Sequence, residues 1–209
     1  MELQYYGGNC VKITTKKSTV VVDDNLAALG AKTVVRDGDT LLFTGNEHKV
    51  DANPKITINM PGEYEVSGIS ISGIAARGHM EEEGALGAVM YRVVADDVRV
   101  AVVGHIYPDL SEDQLEGLGL IDVLIVPVGG HGFTLDPIGA LKVIKKIEPK
   151  IIVPVHYADS KLSYEVPATD LETALKELGM EPKETVDKLK IKGGDVLGDQ
   201  AQLIVLERQ

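Results

Sequence analysis

Residues 121–157, IDVLIVPVGGHGFTLDPIGALKVIKKIEPKIIVPVHY, read as strand, glycine-rich loop, helix, strand and then a histidine. Val123 to Val126 is a short apolar run rich in β-branched residues, as expected of a strand buried on both faces. Gly129-Gly130-His131-Gly132 breaks that run. Asp136-Pro137 then opens a helix, with the carboxylate as cap and proline in the first turn, where its missing N–H costs nothing. Ile138, Leu141, Ile144 and Ile147 are the expected apolar face, with Lys142, Lys145 and Lys146 opposite. Pro149 stops the helix. Ile151-Ile152-Val153 begins a second buried strand, which ends at Pro154-Val155-His156-Tyr157 and so carries an imidazole at its carboxyl end. In layered α/β proteins, ligand groups collect at such ends.

Working outward, 209 residues suit one domain with a sizeable core, spanning 1–209. A hydrophobic fraction of 44% and a charged fraction of 25% are those of an ordinary globular chain. No apolar run approaches the roughly 18–20 residues of a membrane span, and MELQYYGGN lacks the features of a signal peptide. The single cysteine, Cys10, excludes an internal disulfide and reads as a small buried hydrophobe, so a cytoplasmic location is expected. A net charge of −11 disfavours nucleic acid as a partner.

Leu3 to Tyr6, Val11 to Thr15 and Thr19 to Val22 read as strands, and Asp23-Asp24-Asn25 as a solvated turn or part of a site. Thr40 to Phe43, Ile69 to Ala75, Ala88 to Val94 and Val98 to Val103 follow as strands, with Pro61 to Glu65 as a turn entering a strand that alternates through Val66, Ile69 and Ile71, and Asp96-Asp97 as a hairpin turn. Glu81-Glu82-Glu83 reads as an exposed loop, and His48 as a solvated side chain. Ser111 and Gln114 form a capping box on a short helix, and Thr169 with Glu172 suggests a second one. Leu189 to Lys192 and Gln202 to Leu206 are the closing strands, around a Gly193-Gly194 turn.

With these segments in place, PGEYEV at 61–66 and PVGGHGFTLDPIGALKVIKKIEPKIIVPVHY at 127–157 resemble the metallo-β-lactamase superfamily. The likeness is to its small branch of Zn-dependent hydrolases of the β-lactamase fold, and it extends over nearly the whole chain. It implies an α/β four-layer αββα sandwich. The opening YYGGNCVKI…STVVVDD fits the same pattern, with Gly8 at the position of the family's turn histidine and Asp23 at a position behind the metal site.

The resemblance fails where the chemistry resides. Catalytic members carry His-x-His-x-Asp-His, which grips two metals across a ~3.5–4 Å gap. The four ligand positions hold Gly45, Glu47, Lys49 and Val50 here. His79 and His156 stand where relatives place metal-ligand histidines. His105 stands where they place a bridging aspartate, a role that imidazole cannot fill.

Two readings follow. In the first, the metal site is eroded and the protein is a binding or structural protein, with a small molecule or another protein as partner. In the second, His79, His105 and His156 hold one divalent metal, zinc or manganese, with an open position for water. Glu47 or Asp23 would then be a further ligand or base, and His131 could replace a missing ligand. A homo-oligomer is compatible with either.

Overall fold

The computed structural model describes residues 1–193 and 201–209, so the Gly193-Gly194 turn lies partly outside the described residues. Two sheets face each other. The first has six strands: β1 (Glu2–Gly7), β2 (Cys10–Thr14), β3 (Thr19–Val22), β4 (Thr40–Leu42), β5 (Ile56–Ile58) and β13 (Leu189–Lys190), in the order β13-β1-β2-β3-β4-β5. The second has eight: β6 (Gly62–Val66), β7 (Ile69–Ala76), β8 (Ala88–Ala95), β9 (Val98–Val102), β10 (Val123–Pro127), β11 (Ile151–Val155), β12 (Pro182–Val186) and β14 (Gln202–Leu206). Their order is β12-β14-β11-β10-β9-β8-β7-β6. Helices α1 (Glu112–Leu118), α2 (Pro137–Ile147) and α3 (Leu171–Leu178) cover the outer face of the larger sheet.

Period-2 alternation sorts each strand between two cores. Val123 and Ile125 of β10 point into the layer between the sheets, with Val20, Val22, Tyr91, Val100 and Val153. Leu124 and Val126 point the other way, against Ala140, Val143 and Ile144 of α2 and Leu178 of α3. Both faces of β10 are therefore dry, which is why its sequence reads as an uninterrupted apolar run. The outer face of the smaller sheet carries a third cluster, Cys10, Val21, Leu26, Val35, Leu41 and Phe43. Irregular chain from the 23–39 segment, rather than a helix, supplies much of this fourth layer. Asp24 holds it down, accepting from the backbone N–H groups of Val34 (2.7 Å) and Val35 (2.8 Å).

Several local expectations change. Asp23 and Asp24 are buried, so the solvated-turn reading is corrected. α3 is capped by Asp170, which accepts from Thr173 N–H at 2.9 Å, in place of a Thr169–Glu172 box. Ile138 is 68% exposed, because α2 seats Ala140, Val143, Ile144 and Ile147 on the sheet. Glu82 and Glu83 are exposed as expected, but the Glu81 carboxylate accepts from the N–H groups of Gly78 (2.7 Å) and Gly87 (3.0 Å) and pins its loop. β5 and β12 were not foreseen. Three expectations stand: the Ser111–Gln114 box, the Asp136 cap with Pro137 behind it, and the buried Cys10.

Strand direction positions the site. β9, β10 and β11 are parallel neighbours. β7 runs the same way as β9, since each is antiparallel to β8. The residues that leave β7, β9, β10 and β11 therefore emerge at one rim of the sheet.

Candidate functional site

That rim gathers His79, His105 and His156, each within three residues of a strand end, and Phe133 from the loop between β10 and α2. His79 follows β7, and its N–H donates to the carbonyl of His105 at 2.8 Å. Its Nδ1 lies 3.3 Å from the carbonyl oxygen of Ile106. An N–H is needed to donate there, so the neutral tautomer carries its proton on Nδ1 and leaves Nε2 as acceptor.

His156 closes β11 with φ at +52°, a strained conformation for a residue with a side chain. Three contacts impose it. Its N–H donates to Gly8 O at 2.8 Å in the β1–β2 turn. Its carbonyl lies so close to Gly129 that a methyl group on that glycine would overlap the oxygen. Its ring sits edge-on to Tyr164, centroids 5.2 Å apart, and the Tyr164 hydroxyl accepts from Gly8 N–H (3.2 Å) and donates to Tyr157 O (3.1 Å).

The imidazoles of His105 and His156 lie 4.7 Å apart, with their planes at 89°. Phe133 covers both. Its ring stacks on His156 (5.6 Å, 25°) and meets His105 edge to face (4.8 Å, 65°). The Nδ1 atoms of both histidines are buried without a hydrogen-bond partner. Burial pushes His156 down to about 4, away from the ordinary 6.5. His105 is held well below the ordinary value by burial, then by His156 and His79 beside it.

Asp23 is placed behind this rim. It ends β3 with φ at +51° and is buried. One carboxylate oxygen accepts from Thr44 N–H at 2.7 Å, the other from the Thr44 hydroxyl at 2.6 Å. Burial raises its carboxyl to about 6 despite both bonds. Thr44 in turn packs where any side chain on Gly104 would stand, so Asp23 fixes the loop that delivers His105.

A cleft of about 210 Å³ opens on this rim, lined by Asn46, His79, Met80, Glu81, His105 and Phe133 among others. Glu47 and His131 are exposed and do not line it. Lys49 is exposed, while Val50 packs against the Cys10 cluster. The structure thus brings His79, His105 and His156 together and leaves Glu47 and His131 outside. Phe133, Thr44 and Tyr164 were not singled out from the sequence. Phe133 stood in the quoted Gly-Gly…Phe-Thr loop, but nothing local marked the other two.

The residues present do not fit a two-metal centre. Both oxygens of Asp23 are spent on Thr44, and Glu81 gives one oxygen, Oε2, to two backbone N–H groups. Among the described residues, no group of three or more His, Cys, Asp or Glu side chains is arranged to hold a metal ion.

A family model described as the beta-lactamase superfamily domain matches residues 2–156. The chain belongs to the beta-lactamase superfamily. Curated relatives include a protein of Thermococcus onnurineus named as a metal-dependent hydrolase. The two are 35% identical over 114 residues, 52% of this chain and 50% of that one. The match thus spans about half the length of the Thermococcus relative. A protein of Thermus thermophilus, also named as a metal-dependent hydrolase, is 25% identical over 196 residues, covering 75% of this chain and 84% of the relative. A solved structure of a metallo-beta-lactamase superfamily member from Thermotoga maritima superposes with a TM-score of 0.78. It covers 99% of this chain and 98% of that one at 22% identity, a likeness of fold. No helix among the described residues is long and apolar enough to cross a membrane.

Proposed function

We propose that the protein is a beta-lactamase-superfamily member that binds a small ligand at the His79–His105–Phe133 cleft and has no hydrolytic metal centre. The observation that carries this reading is the packing of Phe133 on both His105 and His156. An apolar ring covers the two imidazoles, and among the described residues no group of three or more His, Cys, Asp or Glu side chains is arranged to complete a ligand set. Metal hydrolysis needs a bound ion with an open position and a water that it can acidify. Lys49 and Val50, at two of the family's ligand positions, supply neither.

A specific observation favours a second reading. Buried Nδ1 atoms on His105 and His156 without partners are the kind of donor that a single zinc or manganese ion satisfies. The relatives' names, metal-dependent hydrolases, agree with that reading.

Hydrolysis of ester, lactone and phosphodiester substrates separates the two. With zinc or manganese supplied, the wild-type rate should equal that of His105→Ala and His156→Ala. A metal-dependent rate abolished by both substitutions would establish the second reading.

A further inference from the structure

The cleft's walls carry information on what it accepts, given the binding reading above. Phe133 and His105 present ring surfaces, and Met80, 72% exposed, places a polarizable thioether at the mouth. Thr44, Gly45, Gly78, Gly87 and Ala88 complete the lining with small groups, and the Glu81 side chain packs over Gly78 and Gly87. Three polar groups face an occupant. His79 keeps Nε2 as an acceptor once Nδ1–H is given to Ile106 O, and the exposed Asn46 amide can donate or accept. The Glu81 carboxylate holds two backbone N–H groups through one oxygen, Oε2, and keeps its negative charge beside the cleft.

Charge narrows the choice. Among the described residues no lysine or arginine lines the cleft, and a chain of net charge −11 repels anions. An anionic ligand would find no counter-charge. Compact size matters too, since about 210 Å³ holds one ring with a small substituent.

We propose that the cleft binds an uncharged, planar, single-ring aromatic or heteroaromatic molecule bearing a hydrogen-bond donor, stacked against Phe133 and His105 with its donor directed at His79. Three probes of nearly equal size test this: benzamide, benzoate and cyclohexanecarboxamide. Each is titrated into the isotope-labelled full chain with chelator present, and the ring signals of His79, His105 and Phe133 are followed by NMR.

Benzamide should shift these signals saturably, and both other probes should bind at least about fivefold more weakly. Phe133→Leu should weaken benzamide about 2- to 12-fold, the span expected for loss of one aromatic contact, and leave cyclohexanecarboxamide unchanged. Met80→Lys alters only an exposed side chain at the mouth, so folding is not at stake, and it should shift the preference towards benzoate. Equal binding of all three probes, or no saturable shift at the cleft, would overturn the proposal. Because the titration is run without metal, its outcome is independent of the hydrolysis assay. A hydrolytic metal would end the binding-only reading without touching the ligand class, and failure of benzamide would end the ligand class alone.

Discussion

The imidazoles of His105 and His156 meet at a right angle with centroids 4.7 Å apart, although each closes a different strand of the same sheet. Parallel pairing of β9 and β11 to β10 brings them together. Among the described residues, neither buried Nδ1 has a hydrogen-bond partner. Two bases held neutral side by side dominate the acid behaviour of this rim.

Between about 4 and 6.5, an unfolded chain takes up a proton at His156 that the folded chain refuses. The stabilisation from keeping His156 neutral is fully present above 6.5 and is lost as pH falls through that window. His105 acts in the same direction. Asp23 acts oppositely. Its folded value of about 6 lies above the ordinary 3.8, so its contribution is fully present below 3.8 and fades as pH rises through 6. Two histidines outweigh one aspartate, so urea-melt stability should fall with acid between pH 6 and 4. Asp23→Asn should make that fall steeper by roughly 1.4 kcal/mol per pH unit, the equivalent of one proton. An unchanged slope would contradict the assignment.

Phe133 keeps water from both rings. Phe133→Ala should let His156 titrate higher, from about 4 back towards 6.5, as its desolvation is relieved. NMR titration of the ring protons reads this directly. A value that stays near 4 would mean that Tyr164 and the Gly8 turn alone exclude water.

Gly129 is close-packed against the His156 carbonyl, and a Cβ on it would also meet Ala168. Gly129→Ala should cost about 3 kcal/mol, the upper end of overpacking, because the obstacle is backbone and cannot rotate away. Gly132 has open space around it, so Gly132→Ala should cost far less, confined to the strain of its φ at +74°. Chemical denaturation of both variants compares them.

Asp122 joins the start of β10 to β9, accepting from the backbone N–H of Arg99 (2.9 Å), its Nε (2.8 Å) and its terminal nitrogen (2.7 Å). Burial would raise its carboxyl, but the Arg99 bonds outweigh burial and hold it below the ordinary value. Asp122→Ala should destabilise by about 2 kcal/mol, as expected for a partly buried, bidentate pair. That loss should shrink as pH falls below about 4, where protonation weakens the wild-type pair.

The fold was legible because its strands state their burial. VLIV and IIV are apolar on every residue, and β10 and β11 are dry on both faces. β12 was illegible for the opposite reason. PKETV is almost wholly exposed and pairs with β14 through backbone and one polar side-chain bond, Lys183 to Gln202, so it carries no apolar signature. At the site, His79, His105 and His156 were placed by their positions after strands. The role of Asp23 could not be read locally, since its partner Thr44 lies 21 residues away and is reached by parallel pairing of β3 and β4. Tyr164 was missed likewise. It acts through Gly8, 156 residues distant, and a polar loop gives no hint of that contact.

Metal content bears most directly on whether the histidine rim is a hydrolytic centre. Elemental analysis would be made on protein purified without chelator, again after incubation with zinc or manganese and dialysis, and on His156→Ala. The expected result is far less than one metal per chain under every condition, with no difference between wild type and variant. About one tightly held ion per chain, lost on substituting His156, would contradict the account and make His105 and His156 ligands of a single-metal enzyme.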